Sequence, residues 1–223
     1  SDHGWGWEGL CSDNNPVAND EFNMGKLRNG LSEGGKHFDI LAMHNCQMSM
    51  IEVAYQVYEF ADYMMATQEN HHSINYGYNM IVSNMTRNPF VTNLDLSKKM
   101  VDIDELVNRG VRDYTFAAIN LSAIPQLVQV TNNFAQSMLN NLNATNLANI
   151  KTAKATAQRM RGIPHHKDLY HFAQRVNILV GDQNIKNSAL AVMTQINNTV
   201  VKFWAENKPD AHGLNVYLES DSI

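Results

Sequence analysis

Apolar positions in the first part of the chain come as short blocks between polar turns, and further on they come at helical spacing. Within Phe38–Met43, the apolar run Ile40-Leu41-Ala42-Met43 has no periodicity of its own and is short, which predicts a strand buried on both faces. It ends at His44-Asn45-Cys46. Apolar positions at Met50, Val53/Ala54, Val57 and Phe60/Ala61 then predict an amphipathic helix directly after Cys46. Tyr63–Thr67 and Asp113–Ile119 predict further strands, and Leu214–Leu218 a closing one. Phe22–Leu31 predicts a short helix closed by Gly34-Gly35, and Leu94–Arg109 a longer one stopped by Gly110. Four helical patterns follow the third strand, the last running through Ile185, Val192, Ile196, Val200 and Phe203. Cys11–Asp20, CSDNNPVAND, predicts a flexible, cleavable loop. Asn70–Tyr78 predicts a polar, aromatic loop beyond the carboxyl end of the second strand.

Strands followed by a helical block predict an α/β chain. It divides into an α/β portion over 1–121, a helical subdomain over 122–210 and a returning sheet strand over 211–223. With 223 residues, 44% of them hydrophobic, a sizeable core can be buried. A formal charge of −5 argues against nucleic acid as a partner, and no apolar run approaches the length of a membrane span. Two cysteines, Cys11 and Cys46, do not make a disulfide framework, and a bridge between them would consume the thiol considered next.

Cys46 is expected at the carboxyl end of a strand, where ligands bind in open α/β sheets, with a helix amino end nearby to favour a thiolate. A cysteine attacks an acyl carbon as the thiolate, so such a site also needs an imidazole to accept and deliver the proton. His3, on a glycine- and aromatic-rich turn, Ser1–Trp7, could reach the same rim from a neighbouring strand. From spacing alone, a lone cysteine at a strand end is more often a buried structural residue.

His3, Gly4, Gly6 and Trp7, followed by a strand ending in Cys46-x-Met48-x-x-x-Glu52, resemble the clostripain-type cysteine peptidases, family C11, relatives of caspases, gingipains and legumain. The resemblance continues through Ala61–Met64, Ala66–Glu69, Phe116–Leu121, Asp168–Ala173 and Gly213–Tyr217. It implies a caspase-haemoglobinase-type fold, a mostly parallel sheet flanked by helices with a helical subdomain before the last strand. It implies a cysteine endopeptidase with His3 and Cys46 as the catalytic dyad and the backbone N–H groups of Gly4 and Cys46 as the oxyanion hole. It also implies a peptide or protein substrate, a secreted or cell-envelope location in bacteria, and no required cofactor; calcium is allowed by the resemblance alone. In this family a βαβαβ portion precedes the His-Gly motif, so an upstream segment of the same precursor is expected as a separate chain. Without it, a parallel sheet beginning at Phe38 has an unpaired flank.

The sequence departs from the basic-specific members of the family. Where they carry an Asp two residues before the nucleophile, this chain has His44, and a second family acid falls at Ile74. A buried Arg or Lys needs an opposing carboxylate. His44, Ile74 and Tyr76 therefore predict a pocket for a neutral or apolar residue before the scissile bond. Trp5, Trp7 and Tyr76 could line a groove, or simply pack. His71-His72 and His165-His166…His171 lack the cysteine or carboxylate of a familiar metal spacing and read as rim histidines. Two rival readings share the fold: a silent binding or scaffold protein, and a thiol-dependent transpeptidase or ligase.

Overall fold

The computed structural model of the chain describes residues 6–13, 20–71, 76–161 and 163–219. At the start, β1 (Cys11–Asp13) pairs antiparallel with β2 (Asp20–Phe22), so the ends of the expected open loop are joined. Helix α1 (Met24–Gly34) is opened by Asn23, whose side chain accepts from the Lys26 N–H at 3.0 Å, and closed by Gly35 in the left-handed conformation.

The main sheet is built from β3 (Phe38–Ala42), β4 (Ala61–Ala66), β5 (Tyr114–Asn120) and β7 (Val200–Glu206), in that order. Only β3 and β4 run parallel; β4–β5 and β5–β7 are antiparallel, so among the described residues the sheet is mixed, not mostly parallel. The reason is that β4 and β5 are linked through α3 (Tyr78–Arg87) and α4 (Asn93–Asn108), which return the chain to enter β5 from the opposite end. A second sheet pairs β6 (His166–Asp168) with β8 (Asn215–Tyr217). The closing strand expected near residue 215 therefore lies in this small sheet, and Met50 bridges it to the loop after β3.

Alternation along the strands divides the core. Met64, Ala117 and Ile119 face one side, and pack with α2 (Ile51–Val57), α5 (Ile124–Asn140), α7 (Leu169–Leu179) and α8 (Gln183–Thr199). Met65, Phe116 and Ala118 face the other, beneath Val101 of α4 and beside Tyr114 and Trp204. Helix α6 (Ala144–Thr156) completes the helical layer against α7.

Among the described residues β3 is an edge strand, and none of its residues is fully buried. It is thus not buried on both faces as expected. Its outer side opens into a cleft of about 1010 Å³ lined by Phe38, Ile40, Val82, Met85, Leu96 and Met100.

Candidate active site

The parallel register of β3 and β4 brings their carboxyl ends side by side, and the loop after β3 is then laced to the loop after β4. Met43 N–H donates to Met65, Gln47 N–H to Glu69 and Ser49 N–H to Thr67, each at 2.9 Å. Cys46 sits in the middle of this lacing, half-buried. Its Sγ accepts from the His71 N–H at 3.3 Å. Both cysteines are free thiols, so no Cys11–Cys46 bridge removes it.

Cys46 does not open a helix. α2 begins only at Ile51, because Ser49 and Met50 are held extended: the Ser49 hydroxyl donates to the Gly213 carbonyl at 2.5 Å, and Met50 bridges Asn215. Gln47 takes a positive φ of 58°, and its side-chain amide donates to the Arg161 carbonyl at 2.5 Å and to Asn70 at 3.2 Å. Two anchors at this one side chain hold a backbone conformation that costs a non-glycine residue energy.

Of the expected pocket residues, His44 and Tyr76 are brought together beside Cys46. Their rings stack, the His71 ring stacks on Tyr76 with centroids 4.4 Å apart, and the Tyr78 hydroxyl lies 3.0 Å from a ring nitrogen of His44. Burial lowers the pKa of His44 to about 4, so the imidazole is neutral near pH 7. The buried Tyr76 donates its hydroxyl to the Met43 carbonyl at 3.2 Å; burial first, then nearby Asp104, pushes its phenol up. His3, Gly4, Trp5 and Ile74 lie outside the described residues. Trp7 packs edge-on against Tyr217 and stays partly exposed.

The chain leading away from His3 runs along the Cys46 loop. Asn45 donates its side-chain amide to the Leu10 carbonyl at 2.8 Å. Gly6, at φ +67°, approaches so closely that a Cβ there would collide with Met50 and lie 2.8 Å from His166 and 3.2 Å from the Gln47 carbonyl. Only glycine fits that position without strain.

Several site-building residues were not singled out by spacing, although three of the motif segments contain them. Gln68 is fully buried. Its amide donates to Asp168 at 2.9 Å and to Asn215 at 2.7 Å, and its carbonyl accepts from the Gly213 N–H at 2.8 Å. This hub joins the end of β4 to the small sheet. Beside it, the fully buried Glu69 pairs with Lys208 at 2.7 Å and accepts from the Arg161 N–H at 2.6 Å. A polar residue inside an otherwise apolar strand end was the available signal; its partners, distant in the chain, were not.

Among the described residues no group of three or more His, Cys, Asp or Glu is placed to hold an ion. His166 is fully buried, neither ring nitrogen hydrogen-bonds to another described residue, and burial lowers its pKa to about 4. His171 accepts from the Gln158 N–H at 3.0 Å.

Residues 1–220 match the Clostripain family, the C11 peptidases. The chain belongs to that family. No curated protein matches. Among solved structures, an inactive zymogen C11 protease from Parabacteroides distasonis superposes with a TM-score of 0.68 at 18% identity, covering 98% of this chain and 62% of that one. Iotapain, a secreted C11 cysteine protease from Bacteroides thetaiotaomicron, gives 0.69 at 16% identity, covering 96% and 64%. A clostripain from the same species, in complex with a peptide inhibitor, gives 0.66 at 14% identity, covering 93% and 90%. The chain thus spans less than two-thirds of two of these relatives and most of the third. The α/β fold is the one these C11 structures share.

Proposed function

We propose that this chain carries the nucleophile of a cysteine endopeptidase. Cys46 Sγ attacks the scissile carbonyl carbon, His3 delivers a proton to the leaving amine, and water then hydrolyses the thioester. The backbone N–H groups of Cys46 and Gly4 bind the oxyanion. The observation that carries this reading is the position of Cys46: a free, half-buried thiol at the shared carboxyl ends of two parallel strands, flanked by the segment that follows His3. In support, the Cys46 N–H makes no hydrogen bond to another described residue, which leaves it available to a substrate oxygen. A substrate side chain entering beside His44 meets a neutral ring with no carboxylate at that position, which favours a non-basic residue before the scissile bond. The test is hydrolysis of a mixed peptide library by the unmodified protein and by Cys46→Ala. Equal turnover by both would overturn the reading.

The partner proposed for the β3 edge is a strand from an upstream segment of the same precursor. The free edge and the apolar cleft beside it support this, since such an edge invites aggregation unless paired. Residues 1–223 expressed alone should aggregate, and co-expression with the upstream segment should yield soluble protein. A stable monomer of 1–223 would overturn it. Secretion is proposed by analogy with the secreted relative; no helix among the described residues is long and apolar enough to cross a membrane.

A further inference from the structure

The stretch that anchors Gln47 also builds a cationic pocket. A pocket of 300 Å³ lies on the same rim as Cys46, lined by Asp113, Arg159, Met160, Arg161, Pro164 and Lys208. That is roughly the volume of ten waters, room for a side chain and part of its hydration shell. Its wall is fixed. The Arg161 carbonyl holds the Gln47 side chain, its N–H is bound to Glu69, Met160 N–H donates to the His166 carbonyl at 3.3 Å, and Arg159 bridges Lys167. Lys208 is committed, pairing with Glu69 at 2.7 Å and donating to the Arg159 carbonyl at 3.3 Å. The two guanidinium groups are not: among the described residues neither Arg159 nor Arg161 has a side-chain hydrogen bond or ion pair. Asp113 is the single carboxylate in the lining, so the cations outnumber it even after Glu69 is counted against Lys208.

Resting on the peptidase reading, we infer that Arg159 and Arg161 form a subsite that takes an acidic side chain of the peptide substrate. The occupant is a substrate carboxylate because the pocket's wall is bonded to the residue next to Cys46, so a peptide laid across the thiol passes its mouth. A guanidinium presents two parallel N–H donors that match a carboxylate, a fit that the uncharged amide of Asn or Gln does not reproduce.

The test is a binding comparison in the Cys46→Ala protein, produced together with the upstream segment. Short peptides carry Asp or Glu at one position, scanned along the peptide, and are paired with their Asn or Gln counterparts. At one position the acidic peptide should bind about tenfold tighter than its amide twin. The gap should narrow at high salt and vanish in an Arg159→Gln/Arg161→Gln variant. Circular dichroism checks that this variant folds; should it not, the single Arg161→Gln variant carries the same comparison, because Arg161 is exposed and its structural bonds are made by backbone atoms. Acidic and amide peptides binding alike at every position would overturn the inference, as would a preference that survives loss of the arginines. Binding is measured without turnover, so an acid preference with no hydrolysis by the unmodified protein would sink the peptidase reading and leave the subsite standing.

Discussion

The backbone N–H of His71 donates to Cys46 Sγ at 3.3 Å, so the loop after β4 fixes the direction in which the sulfur of the loop after β3 points. Cys46→Ala and His3→Ala should each abolish peptide hydrolysis, and the double variant should be no worse than either, because a nucleophile and its acid–base partner act as one unit. Steady-state rates of the three variants check this; additive losses would mean the two residues act separately.

His44→Asp introduces a carboxylate where the neutral imidazole now stacks on Tyr76. Turnover of peptides with Arg or Lys before the scissile bond should rise by about tenfold relative to neutral peptides, the size of a charge-assisted hydrogen bond. Library profiling of both proteins measures the ratio. A dominant basic preference already in the unmodified protein would mean that another acid reaches the pocket.

Asp104 is buried on α4, accepting from Trp204 at 2.8 Å and from Tyr114 and Asn108 at 3.0 Å, and burial raises its pKa to about 7. Its ordinary value is 3.8, so the folded protein binds a proton that the unfolded chain releases between those two values. Its stabilising contribution is therefore complete at low pH and is lost as pH rises through about 7, by about 4 kcal/mol. Asp104→Asn should remove that slope, seen by thermal unfolding across the range.

His166 gives the opposite sign. Its pKa is lowered from 6.5 to about 4, so its contribution is present above 6.5 and lost as pH falls towards 4, by about 3 kcal/mol. Among the described residues neither buried ring nitrogen has a partner, so an apolar replacement of similar size removes a desolvation cost. His166→Leu should unfold at a higher temperature than the parent at pH 5, with a smaller gain at pH 8. A variant less stable than the parent at both pH values would show that the imidazole has a partner.

Gly6→Ala should destabilise the protein by about 1–3 kcal/mol through the positive φ, with more from the collision at Met50 and His166. Denaturant unfolding measures it. An unchanged midpoint would show that the turn relaxes.

What could be read from the residues alone depended on whether the signal was local. β3, β4 and β5 were legible because apolar blocks bounded by turns mark strands, and α5, α6 and α7 because their spacing is helical. β7 was hidden: Val200 and Phe203 continue the spacing of Val192 and Ile196, so strand and helix shared one apparent stripe although the helix stops at Thr199. α3 was hidden too, its apolar residues Ile81, Val82 and Met85 lying in a stretch read as loop or left unassigned. The extended lacing from Gln47 to Met50 displaced the start of α2, and its causes, Gly213 and Asn215, lie far along the chain. His44, Tyr76 and Cys46 could be named in advance through the family resemblance. Arg161, Lys208 and Glu69 could not, because nothing local says that they meet.

The Gln68 hub also governs timing. It fastens β4 to Asn215, 147 residues away, and the Ser49 carbonyl accepts from the Asn215 N–H at 2.8 Å. Contacts across such separations form late in folding, since loop closure precedes their reward. During synthesis, the half of the chain that holds Cys46 leaves the ribosome long before its last supports exist. The nascent protein therefore carries its thiol on an unfinished rim until translation has passed residue 215.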